Sequence, residues 1–179
     1  TDTGTVTIVN DDAATITITD FVVNPELNDG ATSTATLTVS LSAAVDALVA
    51  VNVATQDGTA VDSAQGLLVS DYLADGDTLE FAAGETSKTF DVTINGDNLV
   101  ELEEFLSVIV SDLVDSGRDV TVVDDTGIIT IVDNDTAELS ISLVTDPGLL
   151  TEDSGTVIFN IALSNPVAVP VTINYGGVN

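Results

Sequence analysis

The chain contains no cysteine, no histidine, no methionine and no tryptophan in its 179 residues. Without cysteine there is no disulfide framework and no thiol chemistry. Without histidine as well, Ser–His–Asp and Cys–His arrangements are excluded, and softer metals lose the ligands they prefer. Basic residues are nearly as scarce. Lys88 and Arg118 stand against thirty Asp and Glu, which leaves a formal charge of −28. Nucleic acid and anionic membrane surfaces need clustered Lys and Arg, so neither is a partner. No run approaches the roughly 18 apolar residues of a membrane span. Aromatics make up only 4% of the chain, which leaves few platforms for a sugar. Phosphate-cradling loops with their lysine are missing, and so are EF-hand and glycine-rich nonapeptide calcium motifs. No enzyme is expected. No signal peptide is readable and the chain opens on Thr1, so an internal piece of something longer is expected.

What is present is strand-forming. Apolar residues reach 44% and Val, Ile and Thr dominate, β-branched side chains that pack well on a pleated surface. Short alternating runs predict strands near 15–19, 35–41, 49–54, 78–81, 89–95, 105–110 and 127–132. Asn28-Asp29-Gly30, Asp57-Gly58 and Asn95-Gly96-Asp97 mark turns between them. An internal repeat organises the whole. Residues 3–18 read TGTVTIVNDDAATITI and residues 126–141 read TGIITIVDNDTAELSI, identical at eight of sixteen positions with an offset of 126 − 3 = 123. Downstream, Leu41-Ser42-Ala43-Ala44-Val45 answers Leu163-Ser164-Asn165-Pro166-Val167, and Val49, Val51 and Val53 answer Val171, Ile173 and Tyr175. A period this long is domain-sized. The expected fold is all-β: an immunoglobulin-like antiparallel β-sandwich in tandem repeats, with about seven strands per repeat. Residues 1–12 are read as the last strand of a preceding repeat, 13–135 as one complete sandwich and 136–179 as the first half of the next. Tyr72 and Tyr175 are expected in the core.

The acidic residues concentrate where strands end: Asn10-Asp11-Asp12, Asp71, Asp97 with Glu101, Glu103 and Glu104, Asp124-Asp125 and Asp133-Asn134-Asp135. Strand ends on one rim of a sandwich converge in space. A hard cation such as calcium takes six to eight oxygens at about 2.3–2.6 Å, and a rim of carboxylates supplies them. Each Asp taken singly is also explained by the preference of Asp and Asn for turns.

Five motifs in order carry a resemblance. Asp57-Gly58-Thr59-Ala60, Ser70-Asp71-Tyr72, the run 78–89 (TLEFAAGETSKT), Asp97-Asn98-Leu99-Val100-Glu101 and the closing Asp133-Asn134-Asp135 together resemble a Calx-β repeat. This module occurs in sodium–calcium exchangers and bacterial surface proteins. The resemblance spans 13–135 and implies a sandwich holding calcium at one end. By position it implies Glu26, Asp71, Asp97, Glu101, Glu103, Asp133 and Asp135 as ligands, with an oxygen of Asn134. Whether Glu103 or Glu104 takes its position stays open. Asp11 and Asp12, in the matching segment near the start, and Glu152, at the early acidic position of the second unit, complete the candidates. The expected role is a calcium-stiffened stalk, spacer or filament segment of a large secreted or cell-surface protein, active in adhesion. Its partners would be neighbouring repeats, further copies or cell-surface ligands. The alternatives are an adhesive or carbohydrate-binding module, or an accessory domain of a larger secreted enzyme.

Overall fold

The computed structural model describes residues 3–7, 11–62, 70–144, 151 and 156–176, and no helix occurs among them. Nine strands build a two-sheet sandwich: β1 (Ala14–Ile18), β2 (Phe21–Val23), β3 (Thr32–Leu41), β4 (Val49–Asp57), β5 (Gly76–Phe81), β6 (Ser87–Asn95), β7 (Glu104–Val114), β8 (Val120–Val122) and β9 (Thr126–Ile131). One sheet runs β6-β3-β1-β8 and the other β2-β9-β7-β4-β5. All seven strands read from the alternation are present. The two additional ones, β2 and β8, are three residues each, too short for a period of two to show.

Alternation decides which side chains go inside. Along β3, Ala35, Leu37 and Val39 are buried while Thr34, Thr36 and Thr38 face outward. Val51 and Val53 of β4, Val92 and Ile94 of β6, Leu106 and Val108 of β7 and Ile129 and Ile131 of β9 meet them from either sheet. Aliphatic β-branched side chains fill this core in place of the missing tryptophan. Tyr72 is buried with its hydroxyl donating to Asp57 Oδ1 at 2.6 Å, so its one polar atom is satisfied.

The topology gathers four strand ends on one rim. β9 runs antiparallel to β7, with Ile131 opposite Glu104. β2 runs parallel to β9, with Val23 opposite Ile131. In the other sheet Asn95, at the end of β6, lies opposite Thr32 of β3. The loops leaving β2, β6 and β9 therefore meet where β7 begins. The opposite rim is where β1 begins and β7 ends.

Beyond the sandwich, β10 (Leu139–Leu143) and β11 (Phe159–Leu163) form a two-stranded sheet. Residues 164–176 form no strand apart from an isolated bridge between Val167 and Val100. The expected core position of Tyr175 is not observed: the residue is 91% exposed, because no second sheet covers it in the described residues.

Candidate metal centre

Each loop at the rim is held by backbone contacts before any carboxylate is considered. Glu26, just beyond β2, donates its N–H to Val132 O at 3.1 Å and accepts the Asn134 side-chain amide on its carbonyl at 2.7 Å. The β6–β7 loop starts at Gly96, whose N–H bonds Ala31 O at 2.9 Å. A Cβ at Gly96 would lie 1.7 Å from Leu27 O, so only glycine fits there. Asp97 Oδ1 then accepts the Leu99 N–H at 2.6 Å, an Asx turn that folds the loop back over the rim. Asp133 Oδ2 accepts the Glu101 N–H at 3.3 Å and its Oδ1 the Asp135 N–H at 3.1 Å. Asp71 Oδ2 takes the Val61 N–H at 2.7 Å.

These constraints produce two adjoining clusters. Glu26, Asp97 and Asp135 each offer a carboxylate oxygen within 4.8 Å of the others, and so do Asp71, Glu101 and Glu104. Glu26 is only 7% exposed, and Asp135 Oδ2 is buried with no hydrogen-bond partner. An acceptor left buried and unpaired is costly unless a cation or water meets it. Burial pushes the Glu26 carboxyl up to about 8, and Asp97, Asp133, Asp135 and Glu101 push the same way. Burial, then Asp71 and Asp97, raise Glu101 to about 7. Burial, then Asp71 and Glu101, raise Glu104 to about 8. Asp71 and Asp135 are raised too, burial first. The cations lie elsewhere: Lys88 Nζ is 2.8 Å from Glu85 and Arg118 Nε 2.6 Å from Asp46. Crowded carboxylates with no basic neighbour hold protons at neutral pH and exchange them for a divalent ion. All-oxygen donors suit calcium, and nothing in the set suits a soft metal.

Of the sequence candidates, Glu26, Asp71, Asp97, Glu101 and Asp135 supply the two clusters. Asp133 stands beside them and orients two loop amides. Asn134 turns its amide nitrogen to the Glu26 carbonyl. Glu103 is exposed and belongs to neither cluster, and Glu104 is brought in instead. Alternation carried back from buried Leu106 marks the difference, since Glu104 shares its inward face and Glu103 does not. Asp11 and Asp12 are exposed. Asp12 lines a recess of about 610 Å³ with Asp46 and Arg118, at the rim away from the clusters. Glu152 lies outside the described residues.

A two-sheet sandwich with carboxylates converging on one rim defines a calcium-module type of β-domain. A Calx-beta domain model matches residues 10–135, and the chain belongs to the Calx-beta family. No protein with a curated description matches it. Among solved structures, the apo form of the Calx CBD1 domain aligns at 16% identity and a TM-score of 0.52, over 69% of this chain and 100% of that one. CBD12 from CALX1.2 aligns at 17% identity and 0.55, over 70% of this chain and 47% of that one. The calcium binding domain CBD12 of CALX1.1 aligns at 15% and 0.53, over 70% and 49%. The chain thus spans about half the length of the CBD12 structures it matches. At these identities the likeness is one of fold.

Proposed function

We propose that the rim binds calcium and that the chain is a structural repeat of an extracellular or cell-surface protein, a spacer whose joints calcium stiffens. The observation that carries the calcium reading is the pairing of two carboxylate triads with the orphaned buried oxygen of Asp135. Glu26, Asp97 and Asp135 would hold one ion, and Asp71, Glu101 and Glu104 a second. The ion supplies charge that no Lys or Arg of the chain places there. Extracellular calcium modules work at about 10⁻⁴–10⁻³ M, a range that loop carboxylates of this kind reach.

The stiffening reading is supported by a contact at the same rim. Val100, between Asp97 and Glu101, donates its N–H to Pro166 O at 3.1 Å and accepts the Ala168 N–H at 3.0 Å. The loop that offers two ligands thus also pairs with the segment that follows the sandwich. A cation fixing Asp97 and Glu101 would fix Val100 with them. The internal repeat supports a chain of such joints, with neighbouring units as the partners.

Calorimetric titration of the chain with calcium, against a magnesium control, tests the site. Binding is expected for the wild type, with affinity reduced at least tenfold in Asp97→Ala and in Glu104→Gln. Glu103→Gln should bind as the wild type does. No heat above magnesium, or equal affinity in all four proteins, would sink the assignment.

A further inference from the structure

Glycine follows asparagine at one place in this chain, Asn95-Gly96. The pair ends β6 and opens the loop that carries Asp97 and Glu101. Of all dipeptides it is the one most open to attack from within. The backbone nitrogen of the second residue can add to the asparagine Cγ, and a glycine there leaves the approach unhindered and the backbone free to turn. Packing requires both residues. A Cβ at Gly96 does not fit against Leu27 O, and Asn95 donates its side-chain amide to Ser70 O at 2.8 Å and to Ser70 Oγ at 3.3 Å.

The closed rim holds the reaction back in three ways. The nucleophile is engaged, because Gly96 N–H is donated to Ala31 O at 2.9 Å. The leaving amide is tied to Ser70. Asn95 itself is held extended, opposite Thr32 and with its N–H on Asp71 O at 2.9 Å, and extended backbone is not the turn that brings Cγ onto the next nitrogen. Each restraint is a contact between segments, so separation of the rim loops releases them together. Beside them lies a recess of about 330 Å³ lined by Asp29, Thr32, Ser70, Asn95 and Asp97. It is polar and has room for water, the other reactant.

We propose that Asn95 is a site of self-modification, protected while the rim is closed, exposed when the loops part, and guarded by calcium. The guard rests on the calcium reading given above. Gly96 N bonds to Asn95 Cγ, the Cγ–Nδ2 bond breaks, and ammonia leaves, taking the proton that Gly96 N gives up. Water then opens the five-membered imide. Attack at Cγ restores the main chain with an aspartate, whereas attack at the main-chain carbonyl leaves the chain running through Cγ as isoaspartate. One water enters and one ammonia leaves, with no oxidant or reductant. Either product disturbs the rim. A carboxylate at position 95 only accepts, and it meets the carbonyl of Ser70, another acceptor, so the hold on Ser70-Asp71 is lost. Isoaspartate also adds one main-chain atom two residues ahead of Asp97. Asp71 and Asp97 stand in different carboxylate clusters, so both are weakened. A reversible loss of calcium thereby becomes permanent in copies that stay open.

Peptide mapping by mass spectrometry of the full chain, incubated at neutral pH in urea, in chelator and in calcium, tests this. Electron-transfer fragmentation tells isoaspartate from aspartate. Asn95 should convert fastest in urea, severalfold more slowly in the folded protein with chelator, and more slowly again with calcium. Asn98 and Asn134 should remain amides over the same period. Asn95→Gln keeps an amide donor but would have to close a six-membered ring, and it should stay unconverted throughout. Asn95→Asp should bind calcium more weakly than the wild type; unchanged affinity overturns the link to the rim. A folded, chelated protein that keeps Asn95 intact while the urea sample converts overturns the proposal, and so does conversion of Asn98 or Asn134 ahead of Asn95. Calorimetry on the same preparation separates the remaining failures. Equal rates in calcium and chelator overturn the guard if calcium binds. If calcium does not bind, they overturn the metal reading of the rim, and Asn95 converts all the same.

Discussion

Glu26 shows how much one side chain at the rim depends on its surroundings. It is buried among carboxylates, with no cation of the chain near it, and its carboxyl is raised to about 8. Glu104 and Glu101 are raised to about 8 and about 7. Their folded values lie above the ordinary 4.5, so the folded state holds protons that the unfolded chain has already released. The stability these protons contribute is complete below pH 4.5 and is lost as pH rises through 7 to 8. Chelated protein should therefore melt at a higher temperature at pH 5.5 than at pH 8. Calcium should abolish that trend, because it occupies the place of the protons, and its affinity should fall on acidification. Thermal scans at four pH values, with calcium and with chelator, check both slopes. A chelated protein that gains stability from pH 5.5 to 8 contradicts the assignment. The clustering of acids at strand ends and the ordered motifs made much of this rim legible in the sequence, Asp133 and Asp135 included, but left Glu103 and Glu104 undecided, where strand parity from Leu106 favours Glu104. Glu26 and Asp71 were named only through the family resemblance, since they stand in loops whose path depends on distant backbone partners, Val132 and Val61.

The longer strands of the sandwich were legible from their alternation, as in β3 and β6, whereas β11 (Phe159–Leu163) was not read although it alternates too. β2 and β8 were not, because each is fixed by pairing with a remote strand, β9 and β1 respectively, and not by its own three residues. Joints between elements carry information that composition does not. Gly96 ends β6 at a point where the backbone of Leu27 leaves no room for a side chain. Gly96→Ala must separate the β2–β3 and β6–β7 loops, and overpacking of this kind costs about 1–3 kcal/mol. It should also weaken calcium binding, because Glu26 and Asp97 flank the two backbones that move apart. Chemical denaturation with chelator and a calcium titration give the two readouts. A Gly96→Ala protein unchanged in both would show that the loops are not in contact.

For the whole molecule the question is whether the segment after the sandwich is held or swings. The linker between β9 and β10 carries Asp133 and Asp135, and on the proposed stiffening role their repulsion would open the joint when no cation is present. Small-angle scattering of the chain should give a longer, narrower particle with calcium than with chelator. High sodium should not restore the extended form, because screening over about 8 Å at physiological ionic strength weakens repulsion without coordinating two loops. Coincident profiles in all three conditions, or recovery with sodium, would leave the acidic rim as a solubility device. Under tension, the pairing of Val100 with Val167 becomes a fuse. Two backbone hydrogen bonds, to Pro166 and from Ala168, close a loop from the rim to residue 167, and a pull along the chain loads them before any strand of the sandwich. Their rupture would release only the short connections 136–138 and 164–166, because Leu139 stays opposite Leu163 while the β10–β11 sheet is intact, and the contact is free to reform on relaxation. Single-molecule stretching should record this as a short, reversible extension preceding the main unfolding peak, at a higher force in calcium than in chelator.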